Sequence, residues 1–128
     1  MKKIFVLLLL LLCFSCDQKY EYIEVVKEKS LYTGITEVLE KSETMKSKND
    51  STAYFRAYLR FYTSKKMYKK NKEQNGENKN FELFYSKPIK FKLLNKKGED
   101  LAISPSYIDR EQIEHRIRKI VDGMSHLQ

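Results

Sequence analysis

The sequence predicts an α+β fold, a small antiparallel sheet with helices packed on one face. Three observations carry this expectation. Tyr20 to Val26 is dominated by β-forming residues, and Ile89, Phe91 and Leu93 alternate as a half-buried strand does. The stretch from Ser51 to Lys70 contains no Gly or Pro and repeats its apolar residues at helical spacing. Near the C-terminus Ile113, Ile117, Ile120, Val121 and Met124 form a second helical stripe. A small sheet must bury one face, and two apolar helical stripes are the natural cover for it.

In chain order, "YEYIEVV" at residues 20 to 26 interleaves Glu21 and Glu24 with β-forming side chains, which predicts a strand or an extended tether. Residues 31 to 45 place Leu31, Ile35, Val38 and Leu39 at helical spacing and predict a short helix interrupted by Gly34. "KSKND" at residues 46 to 50 is a polar break that ends in a candidate N-cap.

Residues 51 to 70 satisfy two periods. As a strand, Tyr54, Arg56, Tyr58, Arg60 and Tyr62 share one face; as a helix, Tyr54, Ala57, Tyr58 and Phe61 lie on one side and the two arginines on the other. Length favours the helix, with Asp50 or Ser51 as its cap. The alternative is an all-β sandwich with a C-terminal helix, which holds if residues 53 to 63 form a strand. Residues 69 to 80 read as a polar loop around Gly76. Phe81, Leu83 and Tyr85 predict a strand, as do Ile89, Phe91 and Leu93, and then Leu101 and Ile103, the last two joined through a turn at Gly98. Ser106 or Asp109 caps the closing helix, which Asp122 and Gly123 end.

The N-terminus has a different character. Met1, Lys2 and Lys3 precede an unbroken apolar run from Ile4 to Phe14, after which Ser15, Cys16 and the polar Asp17, Gln18 and Lys19 follow. This has the form of a secretory leader. The run is about half the ~20 residues that a membrane-crossing helix requires. A cut between Ser15 and Cys16 fits the small side chain of Ser15.

These residues resemble the signal peptide of bacterial lipoproteins, in which a cysteine just after the apolar stretch is acylated and becomes the first mature residue. On that resemblance Ser15 matches the cleavage-site residue and Cys16 the lipidated cysteine; Cys13 stands where leucine is usual. The resemblance implies a diacylglyceryl anchor, whose two or more chains hold a protein stably where one holds it marginally. The expected organisation is a cleaved leader at 1–15, a lipidated N-terminus with a tether or first strand at 16–30, and one globular domain at 31–128. The expected location is the bacterial cell envelope, the outer membrane in preference to the inner.

The chain carries a formal net charge of +8. It has two cysteines, both in or beside the leader, so neither a redox pair nor a four-ligand zinc site is expected. His115 and His126 are its two histidines, and neither HExxH, a Gly-rich phosphate loop nor a GxSxG elbow occurs. Glu111 and His115 share a helix face four residues apart and read as a solvated pair, while Glu99 and Asp100 read as ordinary turn carboxylates. The sequence therefore predicts no enzyme, no cofactor and no metal site.

Its one candidate binding face is Tyr54, Arg56, Tyr58, Arg60 and Tyr62, which on a strand would suit sugar rings or anionic groups and on a helix would divide, its tyrosines entering the core. Lys65, Lys66, Lys69, Lys70 and Lys72 read as a solvated helix end, with attraction to anionic lipid head groups as the functional alternative. The expected partners are membrane lipid through acylated Cys16 and a protein, with no nucleic acid. The expected role is a non-catalytic binding or scaffolding lipoprotein; the alternative is an envelope enzyme or an enzyme inhibitor of the immunity type.

Overall fold

The computed structural model of the chain describes residues 17–104 and 108–125. The leader, with Cys13, Ser15 and Cys16, lies outside the described residues, as do Ser106 and His126. The described chain runs β1 (Gln18–Lys29), β2 (Thr36–Ser47), α1 (Asp50–Asn75), α2 (Phe81–Phe84), β3 (Lys87–Leu94) and α3 (Arg110–Ser125). The fold is α+β, and its three-stranded antiparallel sheet has the order β2-β1-β3.

β1, of the two forms expected for residues 20 to 26, is a strand and the centre of the sheet. Its even-numbered residues Tyr20 and Tyr22 meet Ala53, Tyr54 and Ala57 of α1, Leu93 of β3, and Leu101 and Ile108 in one buried cluster. Burying each large apolar side chain there contributes about 1.5–3 kcal/mol. Ala53 and Ala57 are fully buried, and their small side chains let α1 lie close on the sheet. Tyr20 also donates its hydroxyl to Asp50 Oδ1 at 2.7 Å, joining the start of β1 to the start of α1. The odd-numbered Ile23 and Val25 face the other way, where the ion pair between Lys92 Nζ and Glu40 Oε1 at 3.3 Å crosses β1 from β3 to β2.

Residues 31 to 45 correct the expectation of a short helix. Gly34 takes φ +68°, and the backbone N–H of Ser30 donates to the Ile35 carbonyl at 3.0 Å, turning β1 back into β2. From Thr36 to Ser47 every residue then has a partner on β1. Pairing with a long neighbouring strand outweighs the helical spacing of four apolar residues, which remain exposed rather than forming a buried stripe.

The ambiguous stretch is helical, and α1 extends past Lys70 to Asn75, into the expected loop. Its cap is Asn49, whose Oδ1 accepts from the Thr52 N–H at 2.8 Å, in place of Asp50 or Ser51. Three further expectations are corrected. Phe81 to Phe84 is a single helical turn, because Phe81 and Tyr85 stack at 4.7 Å at the i, i+4 spacing while Phe81 also meets Tyr68. Leu101 and Ile103 form no strand: Asp100 Oδ1 accepts from the backbone N–H of Leu93 and of Ala102, which curls the chain after a single bridge between Leu94 and Asp100. α3 continues through Asp122 and Gly123 to Ser125, and it buries Ile117 but exposes Ile120 and Met124, because it leans on α1 along one narrow edge. Asp109 does accept from the Gln112 N–H at 3.2 Å as an N-cap.

Candidate functional site

Tyr54, Tyr58 and Tyr62 stand at i, i+4 and i+8 on α1, so their rings rise about 6 Å per step. They stack with centroids 6.3 and 5.9 Å apart. Each reaches the residue sixty positions later on α3: Tyr54 donates to Glu114 Oε1 at 2.8 Å, Tyr58 accepts from Arg118 Nη1 at 3.1 Å, and Tyr62 donates to Asp122 Oδ1 at 2.8 Å. The equal offsets mean that the two helices run parallel and in step. Burial, followed by the Glu114 bond, pushes the Tyr54 hydroxyl well above the usual phenol range, so it remains a donor.

The arginines occupy the opposite side. Arg56 Nη1 donates to the Lys46 carbonyl at 2.8 Å, and Arg60 pairs with Glu43 while its guanidinium carbon stands 5.0 Å over the Tyr22 ring. The five residues of the candidate face are thus divided: the tyrosines join α1 to α3, and the arginines join α1 to β2. The signal that reveals this is legible only in two segments together, the repeat of Tyr54, Tyr58 and Tyr62 against Glu114, Arg118 and Asp122.

Two other groupings bear on chemistry. Tyr22 is buried beside Glu24, under Arg60. Burial and the negative charge of Glu24 raise its hydroxyl well above the phenol range, and Arg60 only partly offsets them. A phenol held protonated in this way is not a base near neutral pH. Between α1 and the start of β3 lies a shallow cleft of about 350 Å³ with Tyr62, Tyr68 and Pro88 as its floor and Lys65, Lys69 and Lys87 at its rim. It offers an aromatic floor and positive charge to an anion. Lys66, from the same basic run, is held by Asp122 at 2.8 Å. Glu111 and His115 are both exposed. Among the described residues no group of His, Cys, Asp and Glu is placed to hold a metal ion, and no helix is long and apolar enough to cross a membrane.

Among the described residues, several exposed large apolar side chains fall together at the end of the β1–β2 hairpin. Tyr32 is 98% exposed, Leu31 70% and Ile35 60%, with Val38 beside them at 59%. Sequence reasoning missed this grouping by reading the segment as helix; Gly34 between two runs of β-forming residues is the feature that marks the turn. No family model matches the chain, and neither a similar curated protein nor a similar solved structure was found.

Proposed function

We propose that the protein is a lipid-anchored lipoprotein of the bacterial cell envelope, held preferentially in the outer membrane by acylated Cys16, and that it acts as a non-catalytic binding protein. The observation that carries the binding role is the hairpin end: Leu31, Tyr32 and Ile35 stand in water at the tip of two paired strands. Exposed apolar groupings of this kind mark contact surfaces, and tyrosine is favoured at them because it offers a large rigid ring with a polar end. The partner that fits is a protein.

The anchor reading rests on the leader residues and gains support from how little chain separates Cys16 from the fold. Only Asp17 stands between Cys16 and the first residue of β1. An acyl group there holds the sheet itself at the bilayer surface, without a long spacer.

Metabolic labelling with a fatty acid tests the anchor: the parent chain takes up label and Cys16→Ala does not, whereas equal label in both defeats the reading. A photo-reactive residue at Tyr32 in the full chain tests the contact surface. A discrete protein adduct is expected there, and an equal adduct from a probe at Lys119 on α3 would refute a specific role for the hairpin.

A further inference from the structure

The outer edge of β2 is the least guarded feature of the fold. β2 lies at the margin of the sheet, and from Thr36 to Thr44 every one of its residues is exposed. An edge this long presents a row of backbone donors and acceptors, and proteins usually blunt such edges by shortening, bulging, charging or covering them; here the guard is charge, from Glu37, Glu40, Lys41, Glu43 and Lys46. The bulge in this sheet is on the other side, between Val25 and Val26 against β3. Among the described residues no strand pairs with the outer edge of β2; near its end the Lys46 carbonyl accepts from Arg56 Nη1 at 2.8 Å, and the rest of the edge from Thr36 to Thr44 is open.

We infer that this edge pairs with the same edge of a second copy, extending the sheet to six antiparallel strands about a two-fold axis at Ser42. The register follows from side-chain charge. Two copies that keep their helices on the same side of a continuous sheet must pair residues of like parity, because side chains alternate between faces. Centring on Ser42 pairs the strands from Glu37 to Ser47 and sets Lys41 opposite Glu43 of the second copy, twice by symmetry. Leu39 then lies opposite Met45, and Val38 opposite the stem of Lys46. No like charges oppose each other. Moving the centre by one residue sets Lys41 against Lys41 or Glu43 against Glu43.

The intrachain contacts extend the same pattern. Lys41 is paired with Glu28 at 2.6 Å, and Glu43 with Arg60. Across the seam, positive and negative groups therefore alternate: Arg60, Glu43, then Lys41 and Glu28 of the second copy. The hairpin end at Leu31, Tyr32 and Ile35 stays outside the paired segment and remains open to a different partner.

The pairing also restricts how the dimer sits, in a consequence that rests on the anchor at Cys16. Gln18 lies beside Ser47, and Ser47 lies opposite Glu37 of the second copy. The two N-termini are then at opposite ends of the joined sheet, on the order of 35 Å apart along the strands. Both can reach one bilayer only if the sheet lies along it. The axis is normal to the sheet, so one face turns toward the lipid; the face away from α1 carries Lys19, Lys27, Lys46, Lys90 and Lys92 with Glu21 and Glu40 around the buried Ile23 and Val25.

Cysteine cross-linking of the full chain in its own membranes tests the register. Residues directly opposite on paired antiparallel strands have Cβ atoms about 4.5–5.5 Å apart. Ser42→Cys lies on the axis and is expected to give a covalent dimer with oxidant or a short bismaleimide. Glu40→Cys and Thr44→Cys each oppose the other position, so each alone stays at the level of the parent chain and the two co-expressed give the dimer. Lys41→Glu in the Ser42→Cys chain loses the dimer by placing Glu against Glu43, and co-expression with Glu43→Lys, Ser42→Cys restores it. Equal cross-linking at positions 40, 42 and 44, or none above the parent at any of them, overturns the proposal. The parent chain reports separately on the anchor: dimer formed without an introduced cysteine shows a free thiol at Cys13 or Cys16, hence an uncleaved or unacylated chain, which defeats the anchor and leaves the edge-pairing result readable.

Discussion

Tyr54→Phe isolates one rung of the contact between α1 and α3. The ring stays, with its centroid 5.8 Å from Phe91, and only the hydroxyl that donates to Glu114 at 2.8 Å is lost. A hydrogen bond to a charged group is worth about 1.5–3 kcal/mol. Tyr54 is only 2% exposed, but Glu114 is half-buried and regains water when its donor leaves. The expected loss is therefore at the low end, about 1–1.5 kcal/mol. Tyr62→Phe should cost less, because Asp122 keeps Lys66 at 2.8 Å. Tyr58→Phe should cost little, because Arg118 is exposed and returns to water.

Urea unfolding measures this order as shifts in midpoint at constant slope. With slopes of about 1–3 kcal/mol/M, Tyr54→Phe should move the midpoint by roughly 0.3–1.5 M. Glu114→Ala leaves the Tyr54 hydroxyl buried without its acceptor, so combining it with Tyr54→Phe should cost clearly less than the sum of the single changes. Additive losses, or a Tyr62→Phe loss as large as that of Tyr54→Phe, would refute the account of burial and bonding along this edge.

Stability should fall as pH rises above about 10, since the Tyr22 and Tyr54 hydroxyls are raised above their ordinary value of 10.0 by burial and keep a proton in the folded state that the unfolded state gives up. Thermal melts at alkaline pH should show a shallower decline in Tyr54→Phe than in the parent. At the acid end, Lys41 and then Ser86 hold the Glu28 carboxyl below its ordinary value of 4.5. Its contribution is present above that pH and is lost as pH falls below it, and Lys41→Ala should flatten that limb of the melting profile. Arg60→Glu places a carboxylate beside Glu43 and Glu24 and removes the cation over Tyr22, so melting should drop more than for Arg56→Glu. High ionic strength should narrow the difference, and its persistence in high salt would mean that packing rather than charge is responsible.

The sequence shows a residue's own period and little of what that period will meet. β3 is legible because Phe91 and Leu93 alternate toward α1, and β1 because β-forming residues dominate it, although from Tyr22 to Val26 it buries side chains on both faces. α1 is legible by length, as a stretch without Gly or Pro too long for a strand. β2 is not, because from Thr36 to Thr44 it is exposed and has no reason to alternate, and it meets the core at Met45 and Ser47 near its end. Its residues Thr36, Glu37, Val38, Leu39 and Glu40 are specified by β1 alongside them, which a single segment cannot reveal. The turn after Phe81 fails for a related reason: Phe81 and Tyr85, four apart, fit one helical turn, and with Leu83 between them they also fit alternation.

The candidate face shows the same limit at the level of function. Tyrosines alternating with arginines look like a recognition surface while the backbone is unspecified, since on a strand all five would point one way. On α1 the same residues are separated by about half a turn, and each set finds a partner within the chain: α3 for the tyrosines, β2 for the arginines. Arg60 and Glu43 join the helix to β2, Arg56 holds the Lys46 carbonyl near its end, and among the described residues no strand pairs with its outer backbone edge. The aromatic and cationic residues that could have bound a ligand instead hold the layers together. Besides the lysine-rimmed cleft at Tyr62 and Tyr68, the described residues offer backbone at the sheet margin and apolar side chains at the hairpin end, two surfaces whose chemistry depends on pairing and position more than on any motif.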